Sequence, residues 1–191
     1  DLKIVKTFGL FVTLGVIMGT VFAANLKTAS LIMFFSVMTM FFSLIFLASK
    51  EKINPTPKKM NLISRIVLGL SSGFLSAPMG IGGGIINTPI LKMFGYSINT
   101  AIGSSAAIGF LVSVIGALGF AISGTYLNTR SPLSFGFVNI PAFLIFIPIT
   151  MLMAKVGAKL VHQINKKIIN KLFGVFLLII SCRLFFEYFS F

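Results

Sequence analysis

Six stretches of this chain are apolar over lengths that cross a bilayer: Phe8 to Ala24, Ala29 to Ser49, Ile63 to Met79, Ile98 to Gly124, Phe137 to Ala154 and Ile168 to Phe189. A spanning helix needs roughly 17 to 25 such residues. A water-soluble globule would have to hide all six in one core, yet the chain is 57% hydrophobic and only 10% charged, too little polar surface to cover it. The pattern predicts an all-α polytopic membrane protein whose first partner is the lipid bilayer.

The net charge of +13 does not point to nucleic acid, because the cations sit at the ends of the apolar runs, as juxtamembrane residues do. The single cysteine, Cys182, lies in the last run and has no internal partner for a disulfide, so a small packed or lipid-facing side chain is expected. No cleavable signal peptide is visible. The chain begins with Asp1 rather than methionine, and a weak internal repeat suggests that a first half lies upstream. A shift of 138 residues places Gly19 on Gly157, Leu26 on Ile164, Leu31 on Ile169, Phe34 on Leu172, Phe35 on Phe173 and Val37 on Val175. Residues 1–50 then read as the last two helices of a first repeat, and 62–191 as a complete second repeat. Residues 51–61 (EKINPTPKKMN) form a polar, proline-broken cytoplasmic linker between them. The missing N-terminal half of the same protein is the expected partner; the oligomeric state is left open, with a homo-oligomer as one outcome.

The glycine-rich segment APMGIGGGIINTPIL, Ala77 to Leu91, decides the topology. If Ile63 to Met79 and Ile98 to Gly124 each crossed once with everything between them on one far side, Lys and Arg would divide nine to seven between the faces. If the chain instead returns through Gly82 to Tyr96 to the face it left, thirteen cations share one face, with Lys27, Arg130 and Arg183 opposite. The positive-inside rule favours the second arrangement and puts the Lys-rich loops in the cytoplasm. A 15-residue return spans only about 22 Å as a helix, against a hydrocarbon core of about 30 Å. GIGGG therefore reads as the buried tip of a re-entrant hairpin over residues 63–96, followed by helices at 98–124, 137–154 and 168–189. Irregular backbone at that depth must be covered by protein or face a water-filled cavity, because lipid offers no hydrogen bonds. Three crossings plus one hairpin make the second repeat inverted relative to the first, the architecture of secondary transporters with a site near the midplane.

The tip supplies Gly80, Gly82, Gly83 and Gly84, with Asn87 and Thr88 just beyond. The next run begins AIGSSAAIG, placing Gly103, Ser104 and Ser105 about 10 Å into a helix that starts near Ile98. Helix N-termini carry unpaired N–H groups and partial positive charge, and neutral hydroxyls and amides add donors without a fixed charge. These nine residues, if they meet, suit a small anion that must also be released.

GxxSAPMGIGGGxxxTPIL at Gly73 to Leu91, followed by AIGSSAAIGFxxxxxGALGFxISG, resembles the sulfite and organosulfonate exporter family called TauE/SafE. The resemblance implies a bacterial inner-membrane permease that moves sulfite, sulfonates or related small anions outward. Gly80, Gly82, Gly83, Gly84 and Pro89 match the family's glycine segment, and Gly103, Ser104 and Ser105 its G-[ST]-S element. Ala77 departs from the glycine common there.

Plainer readings stand beside these. Gly15-x-x-x-Gly19 and Gly69-x-x-x-Gly73 read as helix packing, and Gly82 to Gly84 suit packing as well as binding. Ser104 and Ser105 suit bonds back to their own helix, and Asn87 and Thr88 bonds to backbone near Pro89. His162 reads as solvated, Arg183 and Glu187 as a local pair, and Tyr96, Tyr126 and Tyr188 as interfacial anchors. Catalysis is not expected: the only acids are Asp1, Glu51 and Glu187, no His/Cys/acid cluster suggests a metal, and no P-loop ending follows the glycines. No catalytic residue, metal or cofactor is assigned. An anion channel on the same scaffold and a non-transporting partner subunit are the alternatives to a carrier.

Overall fold

The computed structural model describes residues 2–48, 60–127, 132–163 and 166–190, the side chains of 85, 98, 99, 158–163, 166, 167 and 190 excepted. Most of the linker, Arg130 and the side chain of His162 lie outside the described residues. In chain order the elements are α1 (Leu2–Asn25), α2 (Thr28–Ala48), α3 (Leu62–Met79), α4 (Gly84–Met93), α5 (Ile98–Tyr126), a two-stranded ribbon of β1 (Ser134–Phe135) and β2 (Val138–Asn139), α6 (Ile140–Gln163) and α7 (Lys166–Ser190). All but α4 are helices long and apolar enough to cross a membrane, six in number among the described residues. The protein is an all-α polytopic membrane protein.

Several boundaries differ from the sequence expectation: α1 begins at Leu2 rather than Phe8, and α6 ends at Gln163 rather than Ala154. The fifth span starts at Ile140, not Phe137, because Gly136 at φ 59° turns the ribbon and the Asn139 side-chain oxygen accepts from the Ala142 amide at 3.0 Å, capping the helix where Pro141 fixes its first turn. The helix expected over Gly82 to Tyr96 is also shorter: α4 is 10 residues, about 15 Å, and the chain leaves it at Phe94 and Gly95. Ser97 then caps α5 by accepting from the Thr100 amide at 3.2 Å. Tyr96, Tyr126 and Tyr188 all fall at or near helix ends, and Cys182 is exposed on α7. Arg183 and Glu187 lie exposed near the end of that helix.

The helices divide into two compact units that interleave along the chain: residues 1–25 with 53–138, and 26–52 with 139–191. In the first unit α1 packs on α3 at backbone distance and on α5 through side chains such as Val16 and Thr20. A Cβ on Gly73 would run into the Val12 carbonyl oxygen, one on Gly15 into that of Leu70, and one on Gly19 would lie 2.6 Å from that of Phe74. Pro78 lacks the N–H that would bond Phe74, so this carbonyl is free of its helical donor and Gly19 brings the α1 backbone against it. The packing reading of these glycines holds. Membrane helices gain little hydrophobic free energy by meeting, since lipid is as apolar as leucine, so such close contact supplies the dispersion energy that holds α1 on α3. Phe8, Val12, Val16, Leu91, Ala101 and Ile108 form the core of this unit.

In the second unit α2 and α7 run antiparallel. The buried residues of α2 are all hydroxylated, Ser36, Thr39 and Ser43, set among side chains suited to lipid. Ser43 donates to the Gly174 carbonyl at 2.8 Å and Ser181 to the Ser36 carbonyl at 2.9 Å. Inside a bilayer these bonds replace the water such groups would otherwise need.

Candidate functional site at the glycine turn

Helix α3 stops where Gly80 takes a left-handed conformation, φ 60°, and its amide donates to the Ala77 carbonyl at 3.2 Å. Gly83, φ 41°, then opens α4 as its N-cap, and its carbonyl accepts from the Asn87 amide at 2.8 Å. Positive φ at both positions is what glycine supplies. The Gly83 and Gly84 amides turn inward, donating to the Ile81 and Gly82 carbonyls. Among the described residues, the amides of Ile81 and Gly82 donate to no backbone carbonyl.

The turn rests on the middle of α5. Gly82 faces Gly109, where an added Cβ would lie 2.8 Å from the Gly82 carbonyl oxygen, and Gly82 itself stands opposite Ser113, whose Oγ is 3.4 Å from its ideal Cβ position. Gly109 is eleven residues into α5, about 16 Å from its start. Beside this contact lies a cavity of about 220 Å³, bounded by Ser76, the backbone of Gly80 to Gly82, and Val112, Ser113 and Gly116. No lining residue is ionisable. Ser76 already donates to the Ser72 carbonyl at 2.6 Å, so its hydroxyl proton is engaged, while Ser113 can both donate and accept.

Of the nine predicted site residues, Gly80 and Gly82 line the cavity, and Gly83 and Gly84 shape the turn behind it. Gly103, Ser104 and Ser105 are not among the residues lining the cavity, and the turn meets α5 farther on, at Gly109 and Ser113. Gly103 is exposed to open space, whereas Ser104 and Ser105 are fully buried. Thr88 is half-buried on α4. Asn87 is fully buried with neither amide atom hydrogen-bonded, so it does not satisfy backbone near Pro89; its Nδ2 lies 2.8 Å from where a Gly83 Cβ would stand. The Ser105 Oγ is likewise without a partner. Ser76, Gly109, Ser113 and Gly116 are the residues that motif reading missed. Small residues every fourth position, Ser105, Gly109 and Ser113, were the available signal for a face that another backbone approaches.

The model of the family described as sulfite exporter TauE/SafE matches residues 1–184. The chain belongs to this family. Among curated relatives, a probable membrane transporter protein of Haemophilus influenzae is 30% identical over 146 residues, 74% of this chain and 55% of the relative. A second, from Methanocaldococcus jannaschii, is 30% identical over 125 residues, 64% of this chain and 45% of the relative. The chain thus spans about half the length of the curated relatives it matches. No solved structure matches it.

The two left-handed glycines respond differently to substitution. Gly80→Ala meets open space and is expected to lose only the left-handed penalty, roughly 1 to 2 kcal/mol. Gly83→Ala adds a collision with the Asn87 amide and is expected to lose more. Thermal unfolding in detergent orders the two; equal losses would mean that Asn87 yields freely.

Proposed function

We propose that this TauE/SafE chain is the C-terminal part of an inner-membrane carrier that exports small sulfur-containing anions, sulfite or organosulfonates, through the cavity beside the glycine turn. The observation that carries the reading is the cavity's chemistry: the Ser76 and Ser113 hydroxyls and the glycine turn set in an otherwise apolar wall of Ala77, Ile81, Val112, Ala117 and Phe120, no fixed cation, and a size suited to a small oxyanion. Neutral donors bind an anion without the deep electrostatic trap that a buried lysine or arginine would set. The α3–α4 turn reads as a re-entrant hairpin, since α4 covers about half the hydrocarbon thickness and the turn rests near the middle of α5. Residues 1–50 and 62–191 remain the proposed parts of two repeats joined by a cytoplasmic linker.

Helix registers support the repeats. The shift of 138 residues carries both ends of α1, Leu2 and Asn25, onto the ends of α6, Ile140 and Gln163, and the start of α2, Thr28, onto the start of α7, Lys166. It also carries Ser36, Thr39 and Ser43 onto Gly174, Leu177 and Ser181, the buried positions of α7. Ser43 bonds the counterpart of residue 36, and the counterpart of Ser43 bonds residue 36. Such reciprocal pairing is the mark of a two-fold relation. Because the two helices are antiparallel, the axis crosses them, which is what inverted repeats require. Ser43→Ala and Ser181→Ala are therefore expected to destabilise by similar amounts, about 0.5 to 1 kcal/mol each. Unequal losses, read by unfolding in detergent, would argue against the equivalence.

Counterflow in vesicles tests the function. Unlabelled sulfite on the far side of the membrane should accelerate entry of labelled sulfite through the full-length protein. Ohmic anion currents would make it a channel instead, and neither signal would leave a non-transporting subunit.

A further inference from the structure

No described residue of α6 is buried, although α6 is long and apolar enough to span a membrane. Its repeat counterpart, α1, is the opposite case. Phe8, Val12, Gly15, Val16 and Gly19 form a buried face pressed on α3, with an ideal Cβ on Gly19 lying 3.0 Å from the Ala77 Cβ. The same shift maps that face onto Phe146, Thr150, Met153, Ala154 and Gly157 of α6. Thr150, Ala154 and Gly157 keep it small, and an added Cβ on Gly157 meets nothing within 4 Å. Small residues on one helix stripe leave gaps against lipid but let a second backbone come close. Lys155 lies off this stripe, on the other side of the helix.

We propose that this face of α6 is the docking surface for a helical hairpin of the same polypeptide, the first-repeat counterpart of α3–α4, lying upstream of Asp1. The inference rests on the inverted-repeat reading. In this chain α1, a first-repeat helix, packs on α3, a second-repeat helix. A two-fold relation makes that exchange mutual, so α6 of the second repeat receives the hairpin of the first. The chain spans 55% of its Haemophilus influenzae relative, which leaves length for such a hairpin. The occupant's register follows: small residues should stand 138 positions ahead of Gly69 and Gly73, as those glycines admit α1 here.

The test uses the full gene product with Cys182→Ser as background. Gly157→Cys is paired with a cysteine 138 positions ahead of Ala77, and the yield of intramolecular disulfide is read as a mobility shift without reductant. Ser36→Cys with Ser181→Cys is the positive control, because both are buried where α2 packs on α7 and the Ser181 Oγ reaches the Ser36 carbonyl at 2.9 Å. Leu152→Cys, on the far side of α6, is the negative control, and Ala154→Cys repeats the measurement if the Gly157 variant does not accumulate. Expected is a cross-link at least about tenfold above the Leu152 control. Cross-links between two copies through Gly157 would overturn the proposal in favour of a homo-oligomer, and no cross-link beside a working positive control would leave α6 facing lipid. An upstream sequence without paired small residues at the counterpart positions would instead sink the repeat reading itself.

Discussion

Gly73→Val is expected to abolish recovery of folded protein. The substitution drives a branched side chain into the Val12 carbonyl and toward the Val16 amide, both backbone atoms of α1 that cannot rotate away. Overpacking a tight contact ordinarily loses about 1 to 3 kcal/mol because neighbouring side chains shift. Here no side chain is available to shift, so α1 must separate from α3, and the loss should exceed that range, a large share of a typical total stability of about 5 to 15 kcal/mol. Monodispersity and thermal unfolding in detergent read the result. Gly103→Ala supplies the contrast: it lies in open space within α5, where alanine is favoured over glycine by roughly 1 kcal/mol, so the melting temperature should hold or rise. A folded Gly73→Val protein would mean that α1 and α3 are held by something other than backbone contact.

The second large effect concerns transport. Ser113→Leu in the full-length protein places an isobutyl group in a cavity of about 220 Å³ and removes a hydroxyl from its wall. On the carrier reading proposed above, efflux of sulfite from loaded vesicles is expected to fall at least about tenfold, because the anion loses both space and a donor that a neutral site can ill spare. Ser113→Ala should fall less, since it removes the donor alone. Unfolding in detergent accompanies both measurements. Unchanged efflux from folded Ser113→Leu protein would show that substrate passes elsewhere, and the cavity would then be a packing defect of the turn.

The membrane character of this protein was legible residue by residue, because an apolar run of spanning length has few alternatives. The start of α5 was legible at Ile98, where its apolar run begins. The start of α6 was not, since the ribbon before it depends on Gly136 adopting positive φ, a choice that apolar periodicity does not record. The glycine turn was legible as a turn. Its contact was not: AIGSSAAIG drew attention to Gly103, Ser104 and Ser105, whose hydroxyls advertise a site, while the turn rests one to two helical turns farther on at Gly109 and Ser113. How far α4 runs back decides which level of α5 the turn reaches, and that length is set by where Phe94 and Gly95 break the helix.

What the amino-acid order determined by itself is therefore the local and the periodic: spanning helices, the glycines that must turn, and a family resemblance carried by contiguous motifs. Tertiary structure decided which surfaces meet. Asn87 shows the difference, a polar side chain that sequence reading assigns to nearby backbone and that the fold buries with neither amide atom bonded. Ser43 and Ser181 show it more strongly. Each is an ordinary hydroxyl in an apolar helix until α2 and α7 cross, and then the two bonds answer one another across residues more than a hundred positions apart. The physical reason is that in lipid neither residue gains much from helix contact in general. Specific partners, a carbonyl at hydrogen-bond distance or a glycine that lets a backbone in, have to choose the pairing, and such partners exist only once the chain has folded.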